Sequence, residues 1–226
     1  MADGPTPTSA FEIFSNGIAR LQTRVAILDS MVINKAKNVR LTAFEAAAGI
    51  IVASAALEEQ LFQGILISTE AAINSSTTLV GDLIPPLRAF LNSSCVSRPD
   101  RLGAELGRAY GALEVCSPSM PHVAAKVGLS GLAPSGRTIR SNHFVIVGRA
   151  LGLTRAPFPS PNAQVAVNRL ADLRNEIAHG SEDADSIRSK LRRQNIDLFT
   201  TLTDVSEACR SLTVDVQNFC DHHKWK

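Results

Sequence analysis

This chain has little of what announces a common enzyme class. Its 226 residues carry a formal net charge of only +2, so any nucleic-acid site must be a local patch and not a global field. Four cysteines, Cys95, Cys116, Cys209 and Cys220, show no CxxC pairing. Cys209 and Cys220 fall on one expected helix about 16 Å apart by helical rise, too far for a bridge, so reduced thiols are expected. Cys220 with His222 and His223 fits no strong metal-ligand spacing, and no metal or cofactor is expected. Gly128, Gly131 and Gly136 lack the Lys-Ser/Thr ending of a phosphate loop and read as a flexible loop. Glu58-Glu59 has no second acidic motif to make a carboxylate hydrolase.

Long apolar runs are also missing. The longest block, Ala46 to Leu57, stops at Glu58-Glu59, well short of a bilayer span. Met1 to Ser9 has neither the basic region nor the apolar run of a secretory signal. No membrane association and a cytoplasmic location are the expectations. Neither an internal repeat nor a low-complexity tract is present.

What is there is helical patterning. The expected fold is all-α, a bundle of four to five main helices with a Pro/Gly-rich irregular insertion at about 93–162. Residues 1–9 read as a loose terminus, 10–221 as a single domain and 222–226 as a basic tail. Phe11, Phe14, Ile18, Leu21, Val25, Leu28 and Val32 recur every three to four residues, with Ser9 and Glu12 spaced as a capping box. Lys35 to Arg40 reads as a basic interhelical turn, with phosphate contact as the alternative. A second helix is expected over 42–75, started by Thr42 and Glu45 and rich in Ala46, Ala47, Ala48, Gly49 and Ala53; such small residues suit a central bundle helix or a dimer seam. Glu58 and Glu59 interrupt its apolar surface. They read as exposed, with the alternative that at least one of them faces the site or pairs with a basic residue such as Arg40.

Seven of the eleven prolines fall within 93–162, which makes that third the least regular. Arg101 to Val115 suits a helix. Ser141 to Leu151 is ambiguous between strand and helix by pattern, with a helical context favouring a short helix ended near Gly152. The last helix runs over about 195–220. In the tail, Trp225 is read as part of a frayed end, with base stacking as the alternative.

The chain is organised around Leu170-Ala171-Asp172-Leu173-Arg174-Asn175-Glu176-Ile177-Ala178-His179-Gly180. Leu170, Leu173 and Ile177 share one face, expected to be buried. Asp172, Asn175 and His179 share another. A guanidinium holds phosphate with a two-pronged fork, and an imidazole exchanges protons near neutral pH. Together they are a minimal set for phosphodiester chemistry without a metal. At about 100° per residue, Arg174 lies about 140° round the helix from His179. Either the helix ends near His179, which Gly180 favours, or a twofold partner supplies the second copy. The bland reading is a histidine complementing the helix dipole beside a solvated arginine. Just downstream, Arg188, Lys190, Arg192 and Arg193 put four cations within six residues, which suits either an RNA backbone or a solvated face paired with Glu182, Asp183 and Asp185.

Arg174-Asn175-Glu176-Ile177-Ala178-His179-Gly180 resembles the Arg-x4-6-His motif of the HEPN superfamily. The Phe144–Leu153 run and the helix carrying Ala56-Leu57-Glu58-Glu59-Gln60-Leu61-Phe62 resemble its RiboL-PSP-HEPN branch. The likeness covers roughly 10–220, with only 170–180 specific. It implies a metal-independent endoribonuclease of toxin or phage-defence type, acting as a homodimer on RNA, with an inhibitory or defence-system protein as a further partner. Arg174, Asn175 and His179 would be its catalytic residues. Because some members only bind, the second expectation is a non-catalytic module for RNA, nucleotide or protein. A third is a toxin controlled by covalent modification, for which Tyr110, the sole tyrosine, would be the address.

Overall fold

The helical periods in the sequence become long helices. The computed structural model describes residues 6–33, 37–88, 127–132, 138–179, 190–191 and 196–226. Among these it is an all-α bundle of five principal helices: α1 (Pro7–Ile33), α2 (Lys37–Asn74), α3 (Ser141–Ala150), α4 (Pro161–Ala178) and α5 (Leu198–Asp221). Short 3-10 turns at Val80–Asp82 and Leu129–Leu132 link them. The expected helix at 101–115, Cys95, Cys116 and Tyr110 lie outside the described residues.

α1 starts earlier than its periodicity suggests. Thr6 Oγ1 accepts the Ser9 amide at 3.1 Å, Ser9 Oγ accepts the Thr6 amide at 2.9 Å, and Pro7 fills the first helical position. Ser9 is therefore the third helical residue of the capping box, not its N-cap, and Pro7–Ser9 are helical instead of loose. α2 likewise begins at Lys37, so the backbone of 37–40 is helix and not a turn, and Thr42 is no cap.

The packing direction follows from paired positions. Gly17 meets Leu57 and Gly64 meets Ala10, so α1 and α2 run antiparallel. Thr8 bonds Gln217 and Gln22 bonds Thr203, so α1 and α5 are also antiparallel. α2 is the central element, packed on α1, α4 and α5. Phe14, Ile18, Leu21 and Val25 of α1 meet Ile51, Leu61, Phe62, Ile65 and Leu66 of α2 in one core, where each large side chain contributes about 1.5–3 kcal/mol on burial. Buried hydroxyls of Ser54, Ser68 and Thr69 are satisfied by carbonyls three or four residues back. By length and hydropathy Glu45–Asn74 would suffice to cross a bilayer; here Ile50, Ile51, Leu61, Phe62, Ile65, Leu66 and Ile73 lie in the core, while Val52 and Ile67 are exposed.

Within the segment expected to be an irregular insertion, Ile139, Phe144, Val147, Ala150 and Leu151 join that core. α3 is a helix, as its context favoured. Phe144 packs edge-on to Phe62 at 4.9 Å and against Phe158 at 4.8 Å. Gly152 ends α3 at φ +63°, donating to the Arg149 carbonyl, while Leu153 donates to that of Gly148. This is a Schellman motif with glycine at its left-handed position.

The C-terminal tail is docked, against both readings of Trp225. His223 takes the left-handed position after α5, at φ 48°, and turns the chain back. Trp225 is then 1% exposed, 5.9 Å from the Phe219 ring and 4.7 Å from that of His223. Its indole donates to Thr78 Oγ1 at 3.2 Å and its carbonyl accepts the Ile84 amide at 2.8 Å. No face of the ring is left for a base.

Candidate active site

α4 carries the site and has clear ends. Ser160 caps it by accepting the Ala163 amide, Pro161 opens it, and His179 is its C-cap, donating its amide to the Asn175 carbonyl at 3.0 Å. The helix therefore ends at the histidine, which is exposed. Leu170 and Leu173 are buried and Ile177 packs against the same core, so one face is anchored as its spacing predicts.

The opposite face is polar and engaged. The extended segment 138–140 and the first residue of α3 run antiparallel along it. Thr138 Oγ1 donates to Asn175 Oδ1 at 2.6 Å, Arg140 pairs with Asp172 at 2.7 Å, and the Ser141 amide donates to Asn168 Oδ1 at 3.1 Å. Asn168, Asp172 and Asn175 follow the i, i+4, i+7 stripe of one helix face, so a single extended strap meets all three. Asn175 Oδ1 also accepts from Arg174 Nη1 at 3.3 Å. One amide oxygen thus holds both the strap and the motif guanidinium. Arg174 is half-buried.

Beside this face lies an open groove of about 510 Å³, lined by Val165, Asn168, Asp172, Asn175, Glu176 and Lys190 among others. Arg174 and His179 stand outside its lining, so of the three motif residues the structure brings only Asn175 to the groove. Lys190 is ion-paired with Glu176 across the groove, and both side chains are about one quarter exposed. Its acidic partner is Glu176 of α4, and not one of Glu182, Asp183 and Asp185. Arg188, Arg192, Arg193 and Gly180 lie outside the described residues.

Glu58 and Arg40 do not pair with each other. Both lie on the continuous α2, eighteen positions apart, which is about 27 Å of helical rise. The Arg40 side chain lies outside the described residues. Glu58 is 2% exposed, its Oε1 has no hydrogen-bond partner, and burial holds its carboxyl well above the usual range. Cys209 is its neighbour on α5, where burial and then the Glu58 charge raise the thiol. Glu59 is half-buried and accepts from Gln63.

Sequence reasoning missed Thr138, which has no periodicity to mark it, and the Arg140–Asp172 pair. His143 sits in the first turn of α3, where its Nδ1 accepts the Arg140 amide at 2.8 Å. In comparisons with known proteins, no family model, no curated protein and no solved structure matches this chain.

Proposed function

We propose that this chain is a HEPN-type, metal-independent endoribonuclease of toxin or phage-defence type, acting on RNA as a homodimer. One observation supports it above the others: α4 ends at His179, which leaves the imidazole exposed at the helix terminus, one turn beyond an Asn175 already bonded to the Arg174 guanidinium. A histidine so placed is open to a backbone phosphate and to the hydroxyl beside it.

In this reading His179 takes the proton of the RNA 2′-hydroxyl. The 2′-oxygen bonds to phosphorus and the bond to the 5′-oxygen breaks, leaving a 2′,3′-cyclic phosphate and a 5′-hydroxyl. Arg174 stabilises the added charge on the phosphoryl oxygens. The His179 of a second copy returns a proton to the departing 5′-oxygen. Such a pairing also answers the separation of Arg174 and His179 round the helix. An inhibitory or defence-system protein would keep the activity in check.

The test is cleavage of a mixed RNA pool in EDTA by the wild type and His179→Ala, matched for fold and oligomeric state, with end-group analysis. Cleavage lost only in the variant, with cyclic-phosphate ends and DNA left intact, is the expected result. Cleavage of DNA, or its abolition by chelator, rejects the mechanism.

A second reading, a non-catalytic HEPN module for RNA, nucleotide or a protein partner, has its own support. Asn168, Asp172, Asn175 and Glu176 are all bonded within the fold, which gives the motif a structural use independent of chemistry.

A further inference from the structure

We infer that Thr138, thirty-seven residues upstream of Asn175, is the positioning residue of this site: its hydroxyl fixes the Asn175 amide and, through it, the Arg174 guanidinium. The inference rests on the proposed role of the motif, but its geometric part stands alone.

Asn175 has one carboxamide oxygen and one NH2 group. Two donors converge on the oxygen: Thr138 Oγ1 at 2.6 Å and Arg174 Nη1 at 3.3 Å. With its oxygen engaged twice, the carboxamide has one orientation, and Asn175 forms part of the groove lining. Arg174 gives one N–H to this oxygen and keeps the rest of its fork for an anion.

Thr138 is itself held. Ile139, next to it, is 1% exposed in the core, and Arg140 is tied to Asp172. The strap therefore cannot slide along α4 without breaking its other attachments. A threonine is suited to this place because its hydroxyl donates in one direction while its stiff χ1 limits its rotamers. Removing the hydroxyl frees the carboxamide to turn over and exchange its oxygen for its NH2 group. That would put a donor against the Arg174 guanidinium and repel it from its place.

The experiment compares Thr138→Val, which keeps the shape and loses the donor, with Thr138→Ser, which keeps the donor. Both are first matched to the wild type in melting temperature. The side-chain NH2 signals of Asn175, assigned by their loss in Asn175→Asp, are followed by NMR in the RNA-free protein. They should shift or broaden in Thr138→Val and stay in place in Thr138→Ser. In RNA cleavage, Thr138→Val should lose about tenfold or more in kcat with KM within about twofold, and Thr138→Ser should recover most of the loss. Unmoved Asn175 signals in Thr138→Val overturn the positioning role, whatever the activity does. Moved signals with unchanged kcat overturn its link to cleavage and leave the ribonuclease reading intact. If the wild type cuts no RNA, the catalytic reading fails, while the NMR comparison still decides whether Thr138 orients Asn175.

Discussion

Gly64 of α2 and Ala10 of α1 are in direct opposition: a Cβ built on Gly64 would lie 2.8 Å from the Ala10 Cβ. Neither carbon is the end of a flexible chain, so the two helices would have to separate. Gly49, on the same helix, has nothing within 4 Å of such a Cβ. Helix propensity alone favours alanine over glycine by about 1 kcal/mol at both places. Gly49→Ala should therefore stabilise by about 0.5–1 kcal/mol. Gly64→Ala should destabilise by about 1–3 kcal/mol, as overpacking does. Urea unfolding of the two variants checks this; equal stabilisation by both would mean the α1–α2 approach is looser than the packing requires.

Glu58 sets a pH dependence whose sign is definite. Its folded-state carboxyl is raised by burial, and among the described residues no positive charge offsets this. Below about pH 4 it is neutral in both the folded and the unfolded chain and costs nothing. As pH rises past the unfolded value, the unfolded chain gives up the proton first. Stability then falls by up to about 1.4 kcal/mol per pH unit until the folded carboxyl also ionises. Cys209 plays no part in this window, because its thiol is raised and neutral. Glu58→Gln should remove the slope and so gain on the wild type at pH 7 while matching it near pH 4. Urea midpoints measured between pH 4 and 8 test this, and parallel profiles would refute it.

These positions mark how far a sequence speaks for itself. The buried stripes of α1 and α4 were legible because periodicity is a local property, and the end of α3 was legible from Gly152. The placement of Arg174 and Asn175 on a helix that ends at His179 was legible because it is local and Gly180 follows. Thr138 was not, since its partner is 37 positions away and threonine carries no mark of its own. Glu58 was misread because a glutamate is usually exposed, and whether it is buried depends on where α5 lies. Because α2 begins at Lys37, Arg40 lies on the same continuous helix as Glu58 and out of its reach.

Trp225 offers a third test, with an intrinsic probe. It is the only tryptophan, and its ring is enclosed by Phe219, His223 and the Thr78 hydroxyl. Its emission should be that of a buried indole, and added single-stranded RNA should leave it unchanged. Trp225→Ala should cost about 3–5 kcal/mol, the range for emptying a large aromatic site. An exposed-type emission spectrum, or quenching by RNA with ordinary affinity, would show that the tail leaves its site.

His179 and Asn175 separate the two functional readings, because they differ in what they hold together. His179 is exposed at the end of α4, so His179→Ala should change stability by no more than about 0.5 kcal/mol. Asn175→Ala strips the acceptor from Thr138 and Arg174 together, and a part-buried donor left unmatched costs about 1–3 kcal/mol. If the chain is a ribonuclease, both variants lose cleavage, but only Asn175→Ala loses stability, so His179→Ala isolates the chemistry. If it is a binding module, His179→Ala has no catalytic loss to give, and its effect falls on assembly. Melting temperature, sedimentation and RNA cleavage on the same two preparations distinguish these patterns. A His179→Ala protein that keeps full activity and its oligomeric state would remove His179 from either role.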